Sequence, residues 1–205
     1  MEKLALTSGE LAFLLTLADA DQRRTAWARL RLTEQNSGEL LLREGLGSLT
    51  VRGLATGTGT ELTLAAPLAA VLRGLTEPVL WVEVSLLTGD TADAAHLYVH
   101  DRGMFLLAPR AYGTFEIQGV RAGVSPVELL VSVARRYLGE PRPALVACRS
   151  ESASGGGTAA VAALADGGWR VLRGEADPRQ PAATLDEALR LFGEALASLP
   201  TAVTA

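Results

Sequence analysis

Up to Pro78 the apolar positions of this chain recur mostly at helical spacing; from Val79 stretches that alternate take over, broken by two helical stretches that start at Ser125 and Thr184. Thr7-Ser8-Gly9-Glu10 has the T-x-x-E form of a capping box. Leu11, Phe13, Leu14, Leu17 and Ala18 follow it, which predicts a helix over residues 8–20. Residues 27–32 alternate, with Ala28, Leu30 and Leu32 against Arg29 and Arg31. They predict a strand, with a helix continuing through Arg23 as the alternative. Gln35-Asn36-Ser37-Gly38 is a break. Leu42, Leu46, Leu49 and Leu54 make one face of a helix within 39–55, although each internal glycine costs it about 1 kcal/mol against alanine. Thr56-Gly57-Thr58-Gly59 is a connector and 61–64 a short extended piece. Pro67 opens a further helix that buries Leu68, Val71, Leu72 and Leu75, and Glu77-Pro78 ends it.

Residues 79–138 read as a meander closed by a helix. Leu80, Val82, Val84 and Leu86 take one face of the first strand; Trp81, Glu83 and Ser85 take the other. A second strand at 96–101 sets Leu97 and Val99 against His96, Tyr98 and His100. A third starts at Met104, after the turn Asp101-Arg102-Gly103, and a fourth, 114–118, sets Phe115 and Ile117 against Thr114, Glu116 and Gln118. Ser125-Pro126-Val127-Glu128 starts a helix with Leu129, Leu130, Val133 and Leu138 inward. A shorter version follows: a strand at 144–148, a small-residue loop at 152–157, and a hairpin of 158–164 with 169–172 about Asp166-Gly167-Gly168. A polar loop at 175–181 leads to a helix capped by Thr184 that buries Leu185, Ala188, Leu189, Phe192, Ala195, Leu196 and Leu199. The tail after Pro200 is expected to fray. The fold class expected is α+β: an antiparallel β-meander packed with amphipathic helices, in one domain (1–205) of two similar halves (8–139 and 143–199), a quasi-repeat.

Composition narrows the function. The 205 residues are 48% hydrophobic and only 5% aromatic, with a mean hydropathy of +0.22. Either the core is large for the length, or apolar surface awaits a partner. A net charge of -4 and a pI near 5.3, without a basic run, argue against nucleic acid. Arg23-Arg24 and Arg135-Arg136 read as solvated surface. No stretch approaches the roughly 18 apolar residues of a membrane span, and the start lacks a signal-peptide pattern, so a cytoplasmic protein without membrane insertion is expected. The single cysteine, Cys148, lies in an apolar run and reads as a buried structural thiol.

Candidate chemistry is sparse. His96 and His100 share a strand face but stand about 13 Å apart, too far to ligate one metal. No serine stands in a G-x-S-x-G context. Ser154-Gly155-Gly156-Gly157 has no lysine to follow it, Asp90 with Asp93 and Glu175 with Asp177 lack calcium-loop spacing, and no cofactor is expected. What remains is the open sheet face. Parity gathers Trp81, Glu83, His96, Tyr98, His100, Thr114, Glu116 and Gln118 if these strands are neighbours. Of these, Trp81, Glu83, His96, Tyr98, His100 and Glu116 form the candidate partner-binding set, because amphipathic aromatics among polar groups suit an interface. The alternative is that a helix covers this face.

From residue 45 to 84 the order of features resembles the EspG family of type VII (ESX) secretion-associated chaperones. Val51-Arg52-Gly53-Leu54 stands where the family has an "ARGL" helix end, Leu68-Ala69-Ala70-Val71-Leu72 where it has "LAxxLxxLAxP", and Glu77-Pro78 leads into a strong strand. Residues 156–196, with a hairpin bearing Trp169 and a final amphipathic helix, are similar to the family's second half, which is compressed here. The resemblance implies a cytoplasmic, non-enzymatic chaperone that binds the exposed tip of a helical client of the PE–PPE kind and keeps it soluble. No binding residue matches one to one. Three readings stand: a holder of a helical protein client, a homodimeric structural or regulatory module using the same face, and an enzyme with no linear motif built on a pocket between the halves.

Overall fold

The structure, a computed structural model, describes residues 3–32, 38–58, 61–139, 143–174 and 180–200. The expected break at 35–37, the start of the chain, Gly59, residues 175–179 (with the Glu175–Asp177 pair) and the tail after Pro200 lie outside them. Among the described residues the chain has six α-helices and eleven β-strands, an α+β fold. It divides into two compact units, each assembled from separated stretches: Glu2–Pro78 with Leu107–Gln118, and Val79–Leu106 with Gly119–Ala205. The boundary does not fall between residues 139 and 143.

The first unit contains β1 (Leu4–Thr7), α1 (Ser8–Leu15), α2 (Ala20–Leu30), α3 (Glu39–Val51), a hairpin of β2 (Ala55–Thr58) and β3 (Glu61–Leu64), α4 (Ala66–Thr76) and β7 (Thr114–Gly119). β1 pairs antiparallel with β7, Leu4 opposite Ile117 and Thr7 opposite Thr114. The capping box is formed: Thr7 Oγ1 accepts from the Glu10 amide, and Glu10 accepts from the Thr7 amide at 2.8 Å. α1 ends earlier than expected, at Leu15. Residues 27–32 are not a strand. Asp19 caps α2 by accepting from the Asp21 and Gln22 amides, the helix runs through Leu30, and Arg31 closes it in the left-handed region (φ 53°). Six alternating residues are too few to separate the two periods, and the aspartate cap decides. In α3 the buried positions include Gly45 and Leu49, while Leu42 and Leu46 are half-buried. A Cβ at Gly45 would stand 2.3 Å from the Gly9 carbonyl oxygen, so the glycine is where α3 crosses α1 backbone to backbone.

The second unit holds β4 (Leu80–Thr88), β5 (Thr91–His100), the first part of β6 (Gly103–Arg110), α5 (Pro126–Leu138), β8 (Ala144–Ser152), β9 (Gly155–Ala163), β10 (Trp169–Arg173), β11 (Gln180–Ala182) and α6 (Leu185–Ala197). The strands stand in the order β6-β5-β4-β8-β9-β10-β11. The β4–β5 and β8–β9 hairpins share one register. A shift of 64 positions carries the pair Leu80–Val99 onto Ala144–Ala163, and Thr88–Thr91 onto Ser152–Gly155. The expected small-residue loop at 152–157 is therefore mostly strand. Gly156 lies against the Ser150 carbonyl, where a Cβ would be 2.7 Å away, and Gly157 lies under Leu199 at the end of α6. α5 carries the predicted Ser125–Glu128 capping box, and both helices pack on one sheet face. Leu130, Ala134 and Leu138 with Leu189, Phe192 and Leu196 meet Leu80, Val82, Val84, Leu97, Val146 and Val161 there. Each large aliphatic side chain so buried contributes roughly 1.5–3 kcal/mol.

Candidate functional site

The opposite face of the second unit's sheet can be read row by row from the strand register. At one end Trp81 lies beside Tyr98 and Glu151. Next, Glu83 lies beside His96 and Arg149, with Thr158 beyond. Then Ala94, Ser85, Ala147, Ala160 and Leu172 follow in line, and after them Ala92, Leu87, Leu145, Ala162 and Arg170. Alternation thus grouped Trp81, Glu83, His96 and Tyr98 correctly.

At this end the alternative reading, a covered face, is the one that holds. Trp81 is 4% exposed, His96 3% and Tyr98 0%, so the expected aromatic binding face is buried and these three are structural. Trp81 stacks on His96 with centroids 5.9 Å apart, Tyr98 lies 6.4 Å further along, and Tyr98 stacks on Phe105 at 5.2 Å. Such a row carries large apolar area per residue and gains most from leaving water. Glu83 is half-buried. The His100 side chain is only 9% exposed, and its Nδ1 accepts from the Arg102 amide at 3.2 Å. Glu116 belongs to the first unit, where Arg110 and Lys3 pair with it. The hydrogen bond from Lys3, with that from Arg110, holds its carboxyl below the usual range. The candidate set is therefore not one exposed cluster. Thr114 and Gln118 also lie in the first unit.

The part of this face left to solvent is the end that strand alternation did not mark. Ser85, Ala147, Ala160 and Leu172 line a shallow depression of about 140 Å³, with Glu83, Arg149 and Thr158 at its border. Leu87, 38% exposed, and half-buried Leu145 and Ala162 extend the apolar area by one row. The signal was in the sequence. Residues 144–148 and 159–163 are apolar at nearly every position, on both parities, whereas a strand with one solvated face alternates. Two arginines stand at the limits of this area, Arg149 and Arg170, both exposed. Among the described residues neither makes a hydrogen bond or ion pair.

Among the described residues two other titratable side chains are buried. Cys148 is 1% exposed, and burial pushes its thiol up to about 12, out of the reactive range. Glu10, fully buried, accepts from Ser48 Oγ at 2.7 Å and from Arg52 Nη1 at 2.7 Å, while Arg52 Nη2 donates to the Ala5 carbonyl. Burial pushes its carboxyl up, but the bonds from the Thr7 amide, Ser48 and Arg52 outweigh that and leave it below its ordinary value. Among the described residues no three of His, Cys, Asp and Glu gather as a metal site requires, and no helix is long and apolar enough to cross a membrane. Compared with protein-family models and with curated proteins, the chain matches none.

Proposed function

We propose that this is a non-catalytic binding protein that holds a helical client against the sheet face bearing Ser85, Ala147, Ala160 and Leu172, acting in the cytoplasm as an EspG-like chaperone for a type VII substrate of the PE–PPE kind. The observation that carries the reading is the apolar stretch of sheet around the shallow depression, where Leu87 is exposed and Leu145, Ala147, Ala160, Ala162 and Leu172 are only half-buried. The face, unlike a strand edge, offers an occupant no backbone N–H or C=O, so the occupant must satisfy its own backbone, as a helix does. This chain makes the same choice on the opposite face, where α5 and α6 lie on the sheet. The resemblance over residues 45–84 supplies the kind of client.

The test is co-expression with a PE–PPE pair, with the complex read by size-exclusion chromatography and light scattering. Ala160→Arg places a long cation in the middle row and is expected to abolish the complex while leaving the melting temperature unchanged. Retention of the client by Ala160→Arg refutes the assignment of the face. A concentration-independent dimer that ignores every client supports the homodimeric module instead.

A further inference from the structure

Resting on that reading of the face, we infer that the occupant is an acidic amphipathic helix: a narrow stripe of small apolar side chains flanked by carboxylates, which Arg149 and Arg170 receive. The apolar rows run across β5, β4, β8, β9 and β10, four strand gaps of about 4.8 Å, so they accept about 19 Å of helix, or roughly 13 residues. In the middle row Ser85, Ala147 and Ala160 present small side chains before Leu172, while in the outer row Leu87 and Leu145 stand beside Ala162, so a helix backbone approaches most closely along the middle row. The charges at the margin are not balanced. Glu83 and Glu151 already have interactions within the chain, whereas Arg149, beside the middle row, and Arg170, at the end of the outer one, have none among the described residues. Arg149 flanks the stripe on its Glu83 side and Arg170 closes the outer row at its β10 end, so carboxylates on one flank and at one end of the helix reach them, and lysines there meet like charge. In a chain of net charge -4, two arginines without a partner among the described residues, bordering an apolar stretch of this face, favour an anionic partner.

Three synthetic peptides test this on the full chain by fluorescence anisotropy. Each is about 14 residues long and carries the same Ala/Leu stripe, flanked by Glu, Gln or Lys. The Glu peptide is expected to bind roughly tenfold tighter than the Lys peptide, with the ratio shrinking as salt is raised. Arg149→Glu with Arg170→Glu should invert the order, and Arg149→Gln with Arg170→Gln should abolish it, both without loss of melting temperature because the two side chains are exposed. Equal affinity of the Glu and Lys peptides overturns the inference, as does an order the double variants leave unchanged. If no peptide binds, the acidic-helix assignment fails, and the client complex and its loss in Ala160→Arg then decide separately whether the face itself is the docking site. A dimer that the peptides do not dissociate gives the face to a second copy and also overturns it.

Discussion

Gly45→Ala sets helix propensity against packing, with the two effects opposite in sign. In an exposed helix position the substitution stabilises by about 1 kcal/mol. Here the new Cβ would lie 2.3 Å from the Gly9 carbonyl oxygen, 2.7 Å from its carbon and 3.1 Å from the Glu10 nitrogen. These are backbone atoms of α1 that no rotamer change can remove. Ordinary contact begins near 3.4 Å, so α1 and α3 must part by about 1 Å. The same movement lengthens the bonds that Ser48 and Arg52 give to Glu10, both 2.7 Å. Overpacking of this kind costs about 1–3 kcal/mol and weakened charge-assisted bonds add to it, so after the propensity gain the net loss is about 2 kcal/mol. For a chain of this length that lowers the melting temperature by about 4–8 °C. Gly47→Ala, with nothing within 4 Å of its Cβ, is the internal control and should raise the melting temperature by about 2 °C. Calorimetry on the three proteins decides it. If Gly45→Ala melts at or above wild type, the close crossing of α1 and α3 is wrong.

Trp81→Ala should cost about 3–5 kcal/mol in urea unfolding because the indole is buried in the ring stack; an unchanged midpoint would return Trp81 to the surface. Cys148 should react with a disulfide reagent only at the rate of unfolding, and fast labelling of the folded chain would contradict its burial and raised thiol. Glu10→Gln should lose about 2–3 kcal/mol near neutral pH, since Arg52 and Ser48 then face a neutral amide. Because the folded carboxyl titrates below its ordinary 4.5, its contribution is complete above that value and is lost as pH falls through the lowered one. The gap between wild type and Glu10→Gln should therefore close in acid, and a pH-independent gap would refute it.

The parts of the fold legible in the sequence are those specified by adjacent residues. Two capping boxes, at Thr7 and Ser125, are formed as their spacing demands, and the parity of residues 80–88 and 91–100 brings Trp81 to Tyr98 and Glu83 to His96. The misreadings arise where a distant partner decides. Gly156 and Gly157 look like loop until Ser150 and Leu199 approach them, and Gly45 looks like a helix defect until Gly9 fills the space its missing Cβ leaves. Glu10 shows its capping role through Thr7, but its bonds to Ser48 and Arg52 span most of α3 and leave no local trace.

The candidate site was half legible for the same reason. Alternation puts Trp81, Glu83, His96 and Tyr98 on one face, as the register has them; it says nothing about which end of that face meets water. Aromatic content drew attention to Trp81 and Tyr98, yet large rings are the residues that gain most from being covered, and they are covered. A surface that must stay soluble alone and still receive a helix is better built from alanine. Ala147, Ala160 and Ala162 each expose little apolar area, which limits self-association, while their flatness lets a helix approach closely. Affinity then has to come from the margin, where Arg149 and Arg170 carry charges that the chain leaves unpaired among its described residues. On that argument, replacing Ala160 by leucine should make the free protein stickier without making it more selective, whereas reversing the two arginines should change which helix it accepts.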